Sequence, residues 1–165
     1  MKTHWRFSVY PLLSVLVLLI DQWIKVYVRM LPLYEAFFTV PGILELTHHT
    51  NTGAAFSMLS GHADMIAVFS ALLLILLMVF LGKTTRLTTI GKISVVTLIG
   101  AGASNLIDRI LFGGVTDYIQ LLFIQFPVFN LADICITCSV MIMSILIMTG
   151  RLDKQPEEFT HGSKD

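Results

Sequence analysis

Four stretches of this 165-residue sequence are long and apolar enough to cross a lipid bilayer as helices, because such a span needs about 20 mainly apolar residues. The sequence is 55% hydrophobic and only 13% charged. A soluble domain carries about 25% charged residues, so one core surrounded by water could not absorb this sequence. We predict an all-α membrane bundle of four transmembrane helices in a single domain over residues 1–165. The expected spans are about 8–28, 65–81, 90–107 and 128–149.

The charge balance and the cysteine content exclude other classes of protein. Lys and Arg together number 11, as do Asp and Glu, so no excess of positive charge is available for a nucleic-acid partner. Cys135 and Cys138 cannot build a disulfide framework, and inside the fourth apolar stretch we expect them to be small packing residues. Lys2 and Arg6 precede the first stretch as in a secretory signal. Because no small-x-small cleavage site follows, we expect this stretch to be retained.

The basic residues predict the orientation of the bundle, because cytoplasmic loops of membrane proteins are enriched in Lys and Arg. We therefore expect both termini to be cytoplasmic and the segments 29–64 and 108–127 to lie at the outer face. Within the first of these segments, Leu44 to Thr47 alternate with period two after the Pro41–Gly42 pair, which predicts a small β element on the outer face. The basic residues on the cytoplasmic side are Lys2, Arg6, Lys83, Arg86, Lys92, Arg151, Lys154 and Lys164.

Charged side chains within or beside the apolar stretches mark either function or an anchor at a span end, because a charge at membrane depth costs several kcal/mol. Asp21 and Lys25 favour an i,i+4 ion pair, which could equally be structural and close the helix end. Asn105, Asp108 and Arg109 share one helix face, where an interfacial ion pair is also an alternative to function. Small residues that favour close helix packing precede them: Gly100, Ala101, Gly102, Ala103 and Ser104.

Two carboxylates, Asp117 and Asp133, are the most informative polar residues. No Lys or Arg lies between residues 110 and 150 to neutralise either one. Both fall near the outer ends of spans, which favours an enzyme acting at the membrane edge. A proton-coupled transporter or channel subunit would instead have its acids near the bilayer midplane. A purely structural four-helix protein would leave both acids unexplained.

The histidines and the turn residues of the outer segment are weaker candidates. His48, His49 and His62 do not form a zinc-protease helix motif, so we predict no metal site. Asn51 and Gly53 belong to a turn sequence that could be a plain turn or could bring the backbone close to a ligand.

Five motifs occur in order along nearly the whole chain, and together they resemble lipoprotein signal peptidase, the type II signal peptidase family of bacteria. Ser104 stands where the family usually has Gly, and Tyr118 where Phe is common. The motifs are Asp21-Gln22-x-x-Lys25, Asn51-Thr52-Gly53-Ala54-Ala55-Phe56, Gly102-Ala103-Ser104-Asn105-Leu106-Ile107-Asp108-Arg109, Val115-Thr116-Asp117-Tyr118-Ile119 and Phe126-Pro127-Val128-Phe129-Asn130-Leu131-Ala132-Asp133.

The resemblance implies an aspartyl endopeptidase of the bacterial cytoplasmic (inner) membrane. Its substrate would be a prolipoprotein whose cysteine carries a diacylglyceryl group, cut just before that cysteine. Asp117 and Asp133 would be the catalytic dyad, with no metal or other cofactor. We expect a monomer embedded in membrane lipids and inhibited by cyclic peptide antibiotics such as globomycin. The site-shaping positions would be Asn51, Gly53, Asn105, Arg109, Asn130 and Ala132, and the supporting positions Asp21, Lys25 and Asp108.

Two neighbouring carboxyls can hydrolyse an amide without a covalent intermediate. Repulsion between the like charges keeps one of them protonated, so one group serves as acid and the other as base. Asn130 could cap the fourth helix and put Asp133 in its first turn, where the helix dipole favours a carboxylate. We therefore predict that Asp133 starts as the base and Asp117 as the acid.

Overall fold

A computed structural model describes residues 9–53, 62–84 and 86–153. Four of its helices are long and apolar enough to cross a membrane, and three strands form a small antiparallel sheet. The predicted fold class is thereby confirmed. The elements are α1 (Val9–Arg29), β1 (Ala36–Val40), β2 (Leu44–Asn51), α2 (Ala63–Lys83), α3 (Thr89–Phe112), β3 (Val115–Leu121) and α4 (Leu131–Met148).

The helices expose their apolar side chains and bury polar ones, which is the distribution expected when the solvent is lipid. Leu72, Leu76 and Met148 are more than half exposed, whereas Asp21 and Lys25 are completely buried. The helix α3 is the central one. In its most apolar stretch of 18 residues 44% of the residues are buried, against 11% in the corresponding stretch of each of the other three helices. It packs against α1, α2 and α4. The polar site described below therefore forms around α3.

Close packing of α1 against α3 depends on a glycine. A Cβ atom placed on Gly100 would overlap the backbone carbonyl of Ser14, which cannot move without displacing α1. The small residues before Asn105 were predicted to permit such an approach, and Gly100 provides the space for it.

We expect Gly100→Ala to destabilise the folded protein by a few kcal/mol, because overpacking a tight contact costs about 1–3 kcal/mol or more. The matched control is Gly82→Ala in α2, where an added Cβ would meet no described residue within 4 Å. Thermal unfolding of the purified protein in detergent measures both. An equal melting temperature for the two variants would contradict this account of the α1–α3 contact.

The sheet lies at the end of the bundle where α1 and α3 end and α2 and α4 begin. Its strand order is β1-β2-β3, and both pairings are antiparallel. The register changes between Leu46 and His49, so the strand β2 is irregular there. Ile119 of β3 also forms a bridge with Phe129, which brings the start of α4 back beside the sheet. The strand β3 therefore lies between the end of α3 and the start of α4.

Two helices differ by several residues from the expected membrane spans at one end. The helix α3 continues to Phe112 rather than 107, because Asp108 finds ionic partners on α1 and the helix ends only at Gly113, whose φ is 69°. The helix α4 begins at Leu131 rather than 128, because Asn130 caps it. Several predicted features lie outside the described residues: Lys2, Arg6, Lys154, Lys164 and the Ala54-Ala55-Phe56 part of the second motif.

Candidate active site

Asp117 lies on β3 and is almost completely buried, with 2% of its surface exposed. Its strand is positioned from α3, because the backbone N–H of Thr116 donates to Asp108 Oδ2 over 3.0 Å. On the neighbouring strand β2, Asn51 donates from Nδ2 to Asp117 Oδ2, also over 3.0 Å. The carboxyl is therefore fixed by its own strand and by the end of β2.

Asp133 occupies the third position of α4, where it completes a capping box with Asn130. Asn130 Oδ1 accepts the backbone N–H of Asp133 over 2.9 Å, and Asp133 Oδ2 accepts the backbone N–H of Asn130 over 3.2 Å. These contacts satisfy N–H groups that the first turn of a helix leaves without intrahelical partners. The predicted N-cap and the first-turn position of Asp133 are both observed.

Both carboxyl residues line one cavity of about 550 Å³. Its polar wall also contains Asn51, Asn105 and Arg109. Its remaining lining is mainly apolar and comes from the start of β3, the segment before α4 and the first turns of that helix: Val115, Phe126, Pro127, Val128, Phe129, Ile134, Ile136, Thr137 and Cys138. The cavity therefore combines two acids with a mainly apolar wall.

Asparagine side chains supply hydrogen-bond donors to both acids. Asn130 Nδ2 donates to Asp117 Oδ1 over 2.6 Å, in addition to the contact from Asn51. Asn105 Nδ2 donates to Asp133 Oδ1 over 2.8 Å. Each carboxyl thus receives N–H groups that stabilise its charged form. The ion pairs among the described residues involve other acids, so neither Asp117 nor Asp133 has a cationic partner at ion-pair distance there.

Burial raises the pKa of Asp117 to about 7, and the nearby charge of Asp133 acts in the same direction. The hydrogen bonds from Asn51 and Asn130 and the charge of Lys25 oppose this increase. A carboxyl with such a pKa holds its proton near neutral pH and can deliver it to a leaving group. Burial also raises the pKa of the neighbouring phenol of Tyr118, whose oxygen accepts the backbone N–H of Leu131 over 3.1 Å.

The raised pKa of Asp117 makes the stability of the protein depend on pH. Because the folded state binds this proton more tightly than the unfolded state, its contribution to stability is present below the ordinary pKa of 3.8 and is lost as pH rises through about 7. We expect the melting temperature of the wild type to fall, relative to that of Asp117→Asn, between pH 5 and pH 8. Thermal unfolding in detergent at both pH values measures the difference. A difference that grows in the opposite direction would contradict the raised pKa.

Arg109 joins the turn after β2 to α3. Its Nη2 donates to the carbonyl oxygen of Gly53 over 3.3 Å, and its Nη1 donates to the carbonyl oxygen of Asn105 over 3.3 Å. Its buried Nε has no hydrogen-bond partner among the described residues. Gly53 in turn donates its backbone N–H to Asn51 Oδ1 over 3.0 Å, so this turn also orients an asparagine of the site.

A buried ionic group lies beside the cavity and consists of Asp21, Lys25 and Asp108. Lys25 Nζ lies 2.8 Å from Asp21 Oδ2 and 3.2 Å from Asp108 Oδ2, and all three side chains are completely buried. The predicted Asp21–Lys25 pair is present, but it joins α1 to α3 rather than closing a helix end. Asp21 Oδ1 also accepts the backbone N–H of Ala132 over 3.0 Å, so the group contacts the start of α4.

Gln22 and Arg29, which have no predicted role, extend this group. Gln22 Nε2 donates to Ser104 Oγ over 3.0 Å and to Asp108 Oδ1 over 2.8 Å. Arg29 Nη1 donates to Asp108 Oδ1 over 3.2 Å and to Thr116 Oγ1 over 3.0 Å. Residues 22, 25 and 29 are spaced by three and four positions, so a polar stripe along one face of α1 could have identified them.

In the sheet His49 is the register partner of Asp117, yet the side-chain contacts of the two β2 histidines are with other residues. His48 Nδ1 is 2.9 Å from the carbonyl oxygen of Leu31, and the ring of His49 packs edge-on against Tyr34 at 5.0 Å between centroids. Within residues 9–53, 62–84 and 86–153, no group of three or more His, Cys, Asp and Glu side chains is placed to hold a metal ion.

Comparisons with known proteins agree on one family. The model of the signal peptidase (SPase) II family matches residues 13–149. A lipoprotein signal peptidase of Streptococcus thermophilus is 32% identical over 129 residues, which cover 78% of this chain and 84% of that protein. A lipoprotein signal peptidase of Staphylococcus aureus is 30% identical over 150 residues, covering 89% of this chain and 92% of that protein.

Solved structures of bacterial membrane enzymes share the fold. One, determined by the in meso method at 2.3 Å resolution, has a TM-score of 0.82 and 27% sequence identity, and the match covers 95% of this chain and 99% of that one. Another, determined by the same method at 1.9 Å resolution, has a TM-score of 0.77 and 28% identity, covering 90% of this chain and 97% of that one.

Proposed function

The chain belongs to the signal peptidase II family of membrane peptidases, which remove signal peptides from lipoproteins, and we propose that it does so with Asp117 and Asp133 as a catalytic dyad. The observation that carries this proposal is the placement of two carboxyl groups in one largely apolar cavity. Neither has an ion-pair partner among the described residues, and both receive asparagine N–H groups.

The substrate is a prolipoprotein whose cysteine carries a thioether-linked diacylglyceryl group, and the bond cut is the peptide bond just before that cysteine. Its signal helix and its acyl chains are both apolar and are held in the bilayer. Phe126, Phe129, Ile134 and Ile136 offer an apolar wall beside the acids, which suits such a substrate. A soluble cleft would have to extract these groups from lipid at about 0.8 kcal/mol per CH₂.

Hydrolysis proceeds by general acid–base catalysis. Asp133 takes a proton from a water molecule, and the water oxygen forms a bond to the carbonyl carbon of the scissile peptide, whose carbonyl oxygen becomes an alkoxide. Asp117 gives its proton to the nitrogen of the cysteine, and the carbon–nitrogen bond breaks as the carbonyl double bond re-forms. The products are a signal peptide with a new carboxyl group and a lipoprotein with a new amino group, which takes up the proton that the carboxyl group releases. The proton held by Asp133 restores the starting state when Asp117 recovers it.

Four polar side chains position the reacting groups: Asn51, Asn105, Asn130 and Arg109. Asn51 and Asn130 hold the Asp117 carboxyl from two sides, and Asn105 holds that of Asp133. Arg109 lines the same cavity, where a guanidinium N–H group can donate to a carbonyl oxygen of the substrate. Gly53 and Ala132 provide the backbone atoms that anchor Arg109 and Asp21.

The proposed arrangement in the cell has both termini in the cytoplasm and the sheet at the outer face of the bacterial cytoplasmic membrane. The cut then occurs at the outer edge of the bilayer, where translocated lipoproteins are anchored. The protein acts as one domain over residues 1–165 and as a monomer, without metal or nucleic acid, and cyclic peptides such as globomycin occupy the cavity.

The test is processing of a diacylglyceryl-modified precursor by membranes that contain this chain. We expect cleavage to continue in a strong chelator of divalent metals and to stop when globomycin is added. Gel mobility of the precursor and product, followed over time, measures both. Loss of cleavage in the chelator, with restoration by added metal, would contradict the metal-free mechanism. Unaltered cleavage with saturating globomycin would contradict its binding to this cavity.

A further inference from the structure

The three asparagines of the site must present N–H groups rather than carbonyl oxygens to the acids. A carboxamide has a donor end and an acceptor end of nearly the same shape, so its orientation depends on a second contact. For Asn51 that contact is the N–H of Gly53, which donates to Oδ1 over 3.0 Å. For Asn130 it is the N–H of Asp133, which donates to Oδ1 over 2.9 Å. In both cases a backbone donor fixes the amide.

Asn105 differs because a side chain fixes its amide. Lys25 Nζ donates to Asn105 Oδ1 over 2.6 Å, and Asn130 Nδ2 donates to the same oxygen over the longer distance of 3.3 Å. An ammonium group has three donors and no acceptor, so only the carbonyl end of Asn105 can face Lys25. The opposite end, Nδ2, must then face Asp133 Oδ1, which it contacts over 2.8 Å.

We propose that Lys25 is a positioning residue for the hydrolytic reaction, because it holds the Asn105 amide so that its N–H group faces Asp133. This inference rests on the proposed dyad. Lys25 does not touch the reacting atoms, and it acts through one intermediate side chain. If Asn105 turned by 180° about its amide axis, its carbonyl oxygen would face Asp133 and would favour the protonated carboxyl, which cannot act as a base.

A purely structural role explains the position of Lys25 less well. The cation is completely buried together with Asp21 and Asp108. Replacing a buried ion pair by well-packed apolar residues is often neutral or stabilising, so stability alone gives little reason for a cation here. The orientation of Asn105 requires a group that has only donors at this distance, and this requirement explains why a cation is present.

Lys25→Met removes the donor and keeps the length of the side chain. We expect kcat for the lipid-modified precursor to fall about 10- to 100-fold, the value of a charge-assisted hydrogen bond, with KM changed less than about threefold. Because Met leaves Asp21 without its cation, whereas Asp108 keeps Arg29, a second variant, Lys25→Met with Asp21→Asn, restores the charge balance. An asparagine there can still accept from the N–H of Ala132.

The matched control is Gln22→Met. Gln22 lies on the same helix and donates to Ser104 and Asp108 of α3 over 2.8–3.0 Å, yet it makes no contact with Asn105 or Asp133. We expect this variant to lower the melting temperature about as much as the charge-balanced Lys25 variant and to keep kcat within about threefold of the wild type. Equal kcat losses in the two variants would overturn the inference.

A double-mutant cycle provides the decisive readout, because the charge-balanced removal of Lys25 keeps the local net charge and so isolates its contact with Asn105. In an Asn105→Leu background, the charge-balanced removal of Lys25 is expected to change kcat by less than about twofold. If the kcat losses from removing Lys25 and from Asn105→Leu multiply, the inference about Lys25 is overturned, whereas the proposed dyad is unaffected. The dyad itself fails if Asp133→Asn retains turnover, so the two failures are distinguishable.

Discussion

Replacement of either Asp117 or Asp133 by asparagine is expected to abolish turnover of the lipid-modified precursor. We expect kcat of each variant to fall by about 10²- to 10⁴-fold, because asparagine can neither accept the proton of water nor deliver one to the leaving nitrogen. The double variant should be little slower than either single one, because the two acids act as a unit. Turnover is measured with purified protein in detergent, and the melting temperature is measured alongside it.

Asp64→Asn is the matched control for these two substitutions. Asp64 lies in the first turn of α2, as Asp133 lies in the first turn of α4, and it is exposed and outside the cavity. We expect it to keep the turnover of the wild type. Substantial residual turnover in either dyad variant, with the control unaffected, would mean that the catalytic groups are elsewhere.

Substitution of Asn130 is expected to give the second-largest loss, because this side chain serves both the fold and the site. Its Oδ1 caps α4 through the N–H of Asp133, and its Nδ2 donates to Asp117 Oδ1 over 2.6 Å. Serine can also cap a helix but cannot reach Asp117 with a donor in the same way. We expect Asn130→Ser to keep a melting temperature near that of the wild type and to lose about 10²- to 10³-fold in kcat.

Asn130→Ala separates the two roles of the side chain. Alanine removes the cap as well, so this variant should lose about 1 kcal/mol more of stability than Asn130→Ser at a similar kcat. Thermal unfolding and single-substrate kinetics on the same preparations measure both quantities. If Asn130→Ser turned over the precursor like the wild type, the donation to Asp117 would have no part in the reaction.

The helices could be predicted from the sequence because lipid, unlike water, leaves apolar side chains exposed on every free face. The span of α2 has a mean hydropathy of 2.9 and was found within two residues at each end. The end of α3 could not be found in this way. Hydropathy falls at Asp108, yet the helix continues because Lys25 and Arg29 neutralise that acid.

Asp117 and Asp133 could be picked out in the sequence because no Lys or Arg lies between residues 110 and 150 to neutralise them. That they line one cavity follows only from the packing of β3 beside the start of α4. The group around Lys25 could be predicted only in part. An i,i+4 pair is visible within α1, but the contacts of Gln22 and Arg29 with Asp108 depend on how α1 and α3 align. That alignment depends on the close approach at Gly100, which the run of small residues suggests without fixing its register.

The orientation of the asparagine amides could not be predicted. The sequence indicates that Asn51, Asn105 and Asn130 belong to the site, but not which end of each amide faces an acid. That depends on the groups behind them, Gly53, Asp133 and Lys25, two of which are backbone donors. The role of the Tyr118 hydroxyl could not be predicted either. The sequence shows only that Tyr replaces the Phe common in the family, whereas the structure shows that its oxygen accepts the backbone N–H of Leu131.

The proposed cut is tested by the masses of the two products that the purified protein makes from a diacylglyceryl-modified precursor. We expect a signal peptide that ends in a free carboxylate just before the cysteine, and a lipid-bearing product that begins with the free amino group of that cysteine. Asp133→Asn should yield neither product. A cut at another bond, or equal cutting of a precursor without the lipid, would contradict the account.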